Sequence, residues 1–382
     1  MSNIVSSLSK MWDKVLNLEK TLFPALKEEL RLEALSTKES KLIRILDFAE
    51  IEKSVTVITI TNTPKDREEL ARAFIAKSVY NLQTTRDLID RLHIDRTLRI
   101  LCGWRYTTEI PSESKFSRVF KAFSEAQLAQ KTQEKFVSKY LSEKIFFYNA
   151  TDATKIPLRQ KPVKVEEEKP KPKKRGRPKK GEVRESKKPS ILTQQKEMKT
   201  IEEMLSLVST KCGVGVKQNS KGYREVWVGG KLHISVVDGD IPITAFYSGA
   251  NVHDSSVALP LMEETSNRIN YLYDLQDAGY DADIIREYSR KLGHRPIIDI
   301  NPKNSKVLKK KIELLKHERE SFKLINQHLD LDKEHYNQRS MVERVNKYLK
   351  EDFGCDKIYY QGATKVASVL AFGILSICIH QS

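Results

Sequence analysis

The sequence predicts an α/β protein in which a mixed sheet with flanking helices follows an all-α N-terminal domain. Up to about residue 140 the pattern is mostly helical, whereas beyond it segments rich in aromatic and β-branched residues alternate with helical ones. The composition also changes abruptly at residue 159, which marks a linker. We therefore divide the chain into a helical domain (1–140), a first strand (141–158), a basic linker (159–190) and the rest of the sheet domain (191–382).

The charge of the chain indicates its class of partner. A net charge of +16 is typical of proteins that bind a polyanion, and nucleic acid is the usual one. The four cysteines include no C-x-x-C pair, which argues against a disulfide framework and against a zinc cluster. We therefore expect a protein of the reducing cytoplasm.

The sequence predicts no signal peptide, no membrane contact and no nucleotide cofactor. The first twenty residues mix charges with apolar residues and do not resemble a signal peptide. The apolar run Val366–Ile379 is too short to span a bilayer, so it predicts a buried C-terminal helix and no membrane contact. Gly213 and Gly215 lack the G-K-[ST] of a phosphate-binding loop, so no nucleotide cofactor is expected.

Helix signals in the N-terminal domain suggest a DNA-binding element. One helix is predicted to open at Asp66, a second at Thr84 and a third near Ser112. Two helices joined by a short Gly-containing turn suit a helix-turn-helix DNA reader, and a structural bundle with scattered basic residues is the alternative. The third helix carries basic residues on its exposed side: Lys115, Arg118 and Lys121.

The linker is basic and almost free of large apolar residues. Between Arg159 and Ser190 it holds 14 Lys or Arg against 5 Glu, a net charge of +9, which predicts a disordered insertion. Its centre, Arg175-Gly176-Arg177-Pro178, resembles an AT-hook, in which arginines enter the narrow minor groove of A·T-rich DNA. A plain basic linker, attracted to any phosphate backbone, is the alternative.

The strand signals follow a definite order. KIFFYNATD predicts a strand that ends at Asp152, and alternation around Gly229-Gly230 and Asp238-Gly239 predicts two or three antiparallel strands. Two further strands, one ending near Asp277, alternate with helices, and Lys303 to about Asp330 is a charged helical connection.

The connection leads into the segment Tyr336–Lys350, YNQRSMVERVNKYLK. A continuous helix would align four polar side chains in one stripe and bury the opposite face. Such a stripe suits a phosphodiester, because a carboxylate can hold a metal and bases can bind phosphates. A solvated helix face with an ordinary Glu343–Lys347 pair is the alternative. The stripe comprises Tyr336, Arg339, Glu343 and Lys350, and the buried face comprises Met341, Val342, Val345, Tyr348 and Leu349.

The spacing Y-x2-R-x3-E-x6-K resembles the signature of DDE transposases, the enzymes of bacterial and archaeal insertion sequences. The resemblance implies a ribonuclease-H-like sheet and a third catalytic acid at Glu343. Asp152, in TDATKIPL, is similar to the family's D-x-T element and would be the first acid. Asp277, in D-A-G-Y with Gly279 and Tyr280 as permissive glycine and aromatic wall, is similar to its D-x-G-Y element and would be the second.

The resemblance also implies cofactors and partners. Asp152, Asp277 and Glu343 would hold two Mg²⁺ or Mn²⁺ ions, while Tyr336, Arg339 and Lys350 would bind DNA. The expected partners are double-stranded DNA, as terminal inverted repeats and target, and a second copy of the chain, in the cytoplasm at the nucleoid. A catalytically inactive, transposase-derived DNA-binding protein that favours A·T-rich DNA is the alternative.

Some polar residues compete for a site role. Asp274, Asp254 and Asp238 are alternatives for the second acid. Asp274 is predicted inside a strand, Asp254 at a helix cap and Asp238 in a hairpin turn, and all three places commonly hold structural aspartates. We expect Trp227, His233 and His253 to lie in the core or behind the metal ligands.

Overall fold

The structure is a computed structural model of the chain. It describes residues 35–56, 65–163, 189–218, 222–301 and 335–382, together with a few residues between 305 and 317. The AT-hook-like motif and most of the connection after Lys303 lie outside the described residues. The chain forms two compact units, a helical unit (within 1–144, with 239–242 and 344–382) and a sheet unit (within 145–238 and 243–343).

The helical unit surrounds a buried C-terminal helix, α13 (Ala363–Gln381). This helix is long and apolar enough to cross a membrane by length and composition, but most of it is buried in the protein, where it packs against α1, α3, α6 and α7. The prediction of a buried C-terminal helix is therefore confirmed. The preceding helices of the unit are α1 (Thr37–Ala49), α2 (Ile51–Val55), α3 (Arg67–Val79), α4 (Thr85–Ile94), α5 (Arg96–Cys102), α6 (Glu113–Glu125) and α7 (Leu128–Tyr140).

Local capping explains where these helices begin. Thr84 accepts a hydrogen bond from the Asp87 backbone N–H and begins α4. The predicted second helix is divided at Asp95, whose side chain accepts from the Leu98 N–H and begins α5. The connection from α5 to α6 runs from Gly103 to Ser112 and contains a 3₁₀ turn. The prediction of a short Gly-containing turn, as in a helix-turn-helix, is therefore wrong for the connection between α5 and α6.

The sheet unit contains the mixed sheet. Its strand order is β2-β3-β1-β5-β6, with β4 also paired to β3. β1 runs antiparallel to β3 and parallel to β5, which is parallel to β6. The elements of this unit are β1 (Ile145–Pro157), α8 (Ile191–Glu197), α9 (Ile201–Ser206), β2 (Gly213–Gln218), β3 (Arg224–Val237), α10 (Ala258–Arg268), β5 (Asn270–Gln276), α11 (Asp283–Lys291) and β6 (Arg295–Ile298). Two elements are divided between the units: β4 (Ile241–Gly249), whose residues 241–242 belong to the helical unit, and α12 (Ser340–Glu351), whose residues 344–351 do.

β1 does not end at Asp152 as predicted. Its pairing with β5 ends at Thr151, opposite Gln276, but its pairing with β3 continues to Pro157. Asp152 therefore lies where one neighbouring strand ends and the other continues.

β3 passes through Gly229 and Gly230 without the turn that the glycine pair suggested. A Cβ at Gly229 would lie 2.1 Å from the Ile156 carbonyl oxygen, and one at Gly230 would lie 2.3 Å from the Tyr247 ring. The glycines allow close packing within the sheet, which is the other common reason for glycine in a strand.

Tyr336–Lys350, here called the signature segment, is not one continuous helix. α12 begins only at Ser340, and Gln338 and Arg339 form a turn behind a short helical piece at His335–Asn337. Arg339 N–H donates to the Tyr336 carbonyl and Val342 N–H to the Arg339 carbonyl, both i→i−3 bonds that are tighter than α-helical ones. The buried face is confirmed for Met341, Val342, Val345 and Leu349, while Tyr348 is half-buried.

Candidate active site

Asp152 and Asp277 follow the last paired residues of two neighbouring parallel strands. Thr151 of β1 pairs with Gln276 of β5, and Asp277 continues in an extended conformation. Neighbouring strands lie roughly 5 Å apart, so the two acids emerge side by side. The prediction that a strand ends near Asp277 is confirmed, because β5 ends at Gln276.

Alternation along the strands decides which face carries the acids. Tyr148 and Tyr273 are paired in the register, and their ring centroids lie 5.7 Å apart. Each tyrosine lies four residues before one of the acids, so all four side chains leave the same face of the sheet. This face is the floor of the candidate site.

His335 joins the signature segment to this floor. Its Nδ1 lies 2.6 Å from the Tyr148 hydroxyl, and its ring stacks on Tyr273 at 4.7 Å between centroids. The next residue is Tyr336, so the contact anchors the segment that carries Arg339 and Glu343. This role of His335 was not predicted from the sequence, although Y-x3-D occurs before both acids and could have suggested the two tyrosines.

Arg339 and Glu343 form an ion pair at the start of α12. The Arg339 Nη2 donates to Glu343 Oε1 at 2.6 Å, with the glutamate side chain 57% exposed and the arginine side chain 21% exposed. Burial lowers the pKa of Arg339, but the charges of Tyr336, Glu343, Asp152 and Asp277 outweigh burial and raise it. One guanidinium therefore lies within the electrostatic reach of all three predicted acids.

The local environment disfavours charge on Asp152. Burial, followed by the negative charge of Asp277, raises the pKa of Asp152 from 3.8 to about 6, although the Ala153 N–H and Arg339 oppose the shift. Asp277 Oδ1 accepts from the Gly279 N–H at 2.8 Å. A Cβ on Gly279 would lie 2.9 Å from that oxygen, so glycine leaves room for the carboxylate.

Tyr336 lies beside the acids and Tyr280 behind them. Arg339 lies 5.7 Å from the centroid of the Tyr336 ring. Burial and a hydrogen bond to Asp299 raise the pKa of Tyr336 to about 12. Tyr280 is only 1% exposed and packs in the core with Leu259 and Ile285, so it is not an open wall of the site.

The three competing aspartates have structural partners. Asp274 leaves the opposite face of β5, where it accepts from Asn149 Nδ2 at 3.1 Å. Asp238 accepts from the Phe147 N–H at the start of β1. Asp254 pairs with Lys231 at 2.8 Å, and the adjacent 3₁₀ helix is capped by His253 rather than by Asp254 as predicted.

The remaining polar candidates divide between core and surface. His233 is fully buried opposite Ala153, on the face away from Asp152, and its Nε2 lies 2.8 Å from the Ser248 hydroxyl. Burial lowers the pKa of His233 to about 4. Trp227 is half-buried and donates to the Gly230 carbonyl. His253 is exposed and therefore does not lie in the core, the first of its two predicted places.

Comparison with protein families decides the identity of the chain. A family model described as "Transposase DDE domain" matches residues 149–379, more than half of the chain. The chain belongs to the DDE transposase family. A second model, "Transposase domain (DUF772)", matches residues 30–122, while a search of curated proteins found no match. The transposase has the predicted ribonuclease-H-like fold, acts on DNA and is an endonuclease and strand transferase by class.

The donor chemistry of the transposase site fits the divalent metal ions that DDE transposases use. Within the described ranges, no three Asp, Glu, His or Cys side chains already form a metal site. Asp152 and Asp277 nevertheless offer hard oxygen donors, and Glu343, a third such donor, is exposed and paired with Arg339.

Other predicted DNA-binding residues lie in the helical unit or outside the described residues. Lys350 lies near the end of α12 and lines a surface cleft with Asn81 and Gln83. Arg118 is exposed on α6. The residues Arg175, Gly176, Arg177 and Pro178 lie outside the described residues.

Proposed function

We propose that this transposase binds the ends of its element and performs cut-and-paste transposition with Asp152, Asp277 and Glu343 as its catalytic acids. The observation that carries the proposal is the register of β1 against β5, because it makes Asp152 and Asp277 neighbours on one face. The ion pair of Arg339 with Glu343, and the influence of the two aspartates on Arg339, link the third acid to that face.

The three carboxylates would hold two Mg²⁺ or Mn²⁺ ions. When bound, such ions activate the attacking oxygen and stabilise the leaving oxygen of a phosphodiester. The raised pKa of Asp152 reflects first the burial of its carboxylate and then the negative charge of Asp277 beside it. A cation held by Asp152 and Asp277 would favour the charged form of both carboxylates.

The chain's own bases and aromatic ring position the DNA. Arg339 would leave Glu343 and bind a phosphate near the cut, since a guanidinium forms paired hydrogen bonds to phosphate oxygens. Lys350 would bind a second phosphate, and the Tyr336 ring would stack on a terminal base. Arg118 and the arginines of the AT-hook-like motif would add contacts outside the active site, the latter with A·T-rich DNA.

The reaction defines the partners. Transposition joins two element ends to one target, so we expect a homodimer that holds both terminal inverted repeats. Exchange of phosphodiesters needs no nucleotide to drive it, and the expected location is the cytoplasm at the nucleoid.

A cleavage assay on the inverted repeats that flank the gene tests the proposal. We expect Mg²⁺-dependent nicking at the repeat ends, abolished by Glu343→Gln with DNA binding retained. Glu287→Gln is a matched control, because Glu287 is also 57% exposed and also forms an ion pair, with Lys196 at 2.7 Å. Cleavage by Glu343→Gln at the wild-type rate would refute the role of this acid. A wild-type protein that binds the repeats without cutting them would favour the inactive DNA-binding alternative.

A further inference from the structure

The helical unit contains a polar cleft beside the C-terminal ends of α3 and α12. Its volume is about 610 Å³, within the range of small-molecule and nucleotide sites. The lining side chains are three amides, two lysines and two acids, and none is apolar. They are Asn81, Gln83, Asn346, Lys347, Lys350, Glu351 and Asp356.

Hydrogen bonds fix the orientation of two of the amides. The Glu351 backbone carbonyl can only accept, so it takes the Asn81 Nδ2 group as donor, at 2.6 Å. The Asn81 Oδ1 atom then faces Gln83 and accepts from its Nε2 at 3.3 Å. Consequently the remaining polar atom of Gln83 is an acceptor, Oε1, and it has no hydrogen-bond partner.

Asn346 provides a second unpaired acceptor in the same cleft. The residue is 8% exposed, and its buried Oδ1 has no hydrogen-bond partner. Buried polar atoms without partners are unusual and costly in proteins. Gln83 and Asn346 both line the cleft, and each has a buried amide oxygen without a hydrogen-bond partner.

The backbone around Gln83 is held in place. The Lys77 ammonium, itself buried, donates to the Leu82 and Gln83 carbonyls at 2.8 and 3.1 Å. Asn81 adopts a left-handed conformation, with φ of +57°, which asparagine tolerates better than most residues. The amides are therefore presented by an ordered turn.

We propose that this cleft is a nucleotide subsite that selects a base at the DNA end by its exocyclic amino group. Gln83 Oε1 and Asn346 Oδ1 accept from the two N–H bonds of the amino group of an unpaired adenine, cytosine or guanine, and Lys350 binds the adjacent phosphate. Asn and Gln commonly recognise base edges in this way. Thymine has no exocyclic amino group and is disfavoured. The inference rests on the proposed DNA-binding role of Lys350, and it makes Gln83 and Asn346 determinants of sequence preference.

The test measures coupling between a side chain and a base group. The probe is a duplex carrying the terminal sequence that flanks the gene. Near the cut, each adenine, guanine or cytosine is replaced in turn by its analogue without the amino group: nebularine, inosine or 2-pyrimidinone. Binding is measured by fluorescence anisotropy with full-length protein carrying Glu343→Gln, alone and combined with Gln83→Met or with Gln83→Met and Asn346→Leu. Asn267→Leu, at an exposed amide on α10, is the control.

We expect one position at which loss of the amino group weakens binding about tenfold with intact amides. The same loss should have less than about a twofold effect once Gln83 is replaced, and the Asn267→Leu control should retain the tenfold effect. Gln83→Met alone carries the test if replacement of the buried Asn346 impairs folding.

Effects that are equal with and without Gln83, or the absence of any sensitive position, would overturn the subsite. Because the measurement needs no cleavage, it separates the two proposals. Cleavage without coupling refutes only the subsite, and coupling without cleavage refutes only the catalytic assignment.

Discussion

The Arg339 guanidinium lies 2.6 Å from the carboxylate of Glu343, one turn further along the chain. The same guanidinium is influenced by Asp152 and Asp277, whose charges help to raise its pKa. The three proposed catalytic acids therefore share one positively charged neighbour within the sheet unit. A cation that enters the site competes with Arg339 for the acids, whereas a phosphate competes with Glu343 for Arg339.

Replacing Arg339 should separate metal binding from catalysis. Arg339→Gln frees Glu343 and removes a positive charge from the acids, so we expect Mn²⁺ to bind the DNA-free protein about threefold or more tightly. Cleavage should nevertheless fall, because the phosphate contact is lost. Calorimetry with Mn²⁺ and the cleavage assay measure the two effects. Arg344→Gln is the control, since Arg344 in the same helix pairs with Asp240 instead; weaker Mn²⁺ binding by Arg339→Gln would contradict the prediction.

Asp152→Asn should stabilise the metal-free protein above pH 6. The pKa of Asp152 is raised from 3.8 to about 6, so the unfolded chain releases this proton before the folded one does, and wild-type stability falls between these values. Asparagine carries no charge, and the variant should gain up to about 3 kcal/mol in free energy of unfolding at pH 8. Denaturant unfolding with EDTA at pH 4, 6 and 8 measures the gain, which should vanish near pH 4. A difference that is constant across this range would argue against the raised pKa.

Gly279→Ala should impair catalysis while leaving the fold intact. The added methyl group would lie 2.9 Å from Asp277 Oδ1 and would displace the carboxylate. Misplacement of a catalytic group by about 1 Å can cost up to about a hundredfold in rate. Single-turnover cleavage measures the rate, and thermal unfolding in EDTA serves as the control for folding. An unchanged rate would show that the position of this carboxylate is not critical.

Two double variants distinguish the AT-hook from a plain basic linker. Arg175→Ala with Arg177→Ala removes the same charge as Lys179→Ala with Lys180→Ala, so both should reduce the salt dependence of DNA binding similarly. Only the arginine pair should lose the preference for A·T-rich over G·C-rich duplex, because arginines enter the narrow minor groove. Competition binding at two salt concentrations measures both properties. An equal loss of preference in the two variants would favour a plain basic linker.

Local features of the sequence were sufficient to predict the family, one strand end and the buried C-terminal helix. The Y-x2-R-x3-E-x6-K spacing and the D-A-G-Y turn predicted the family and the strand end before Asp277. The apolar run near the C-terminus predicted the buried helix α13. These predictions succeeded because residue spacing, turn chemistry and hydrophobicity depend on neighbours in the chain.

Other features depend on the pairing of distant strands. β1 continues beyond Asp152 because Ala153 to Pro157 pair with β3, more than seventy residues away. The sequence by itself determined the family, the candidate acids and most of the helices and strands. The tertiary structure alone decided that Asp277, and not Asp274, shares a face with Asp152, and that His335 anchors the signature segment to that face. The reason is physical: strand register and sheet face are set by contacts between residues far apart in the chain, which no local pattern encodes.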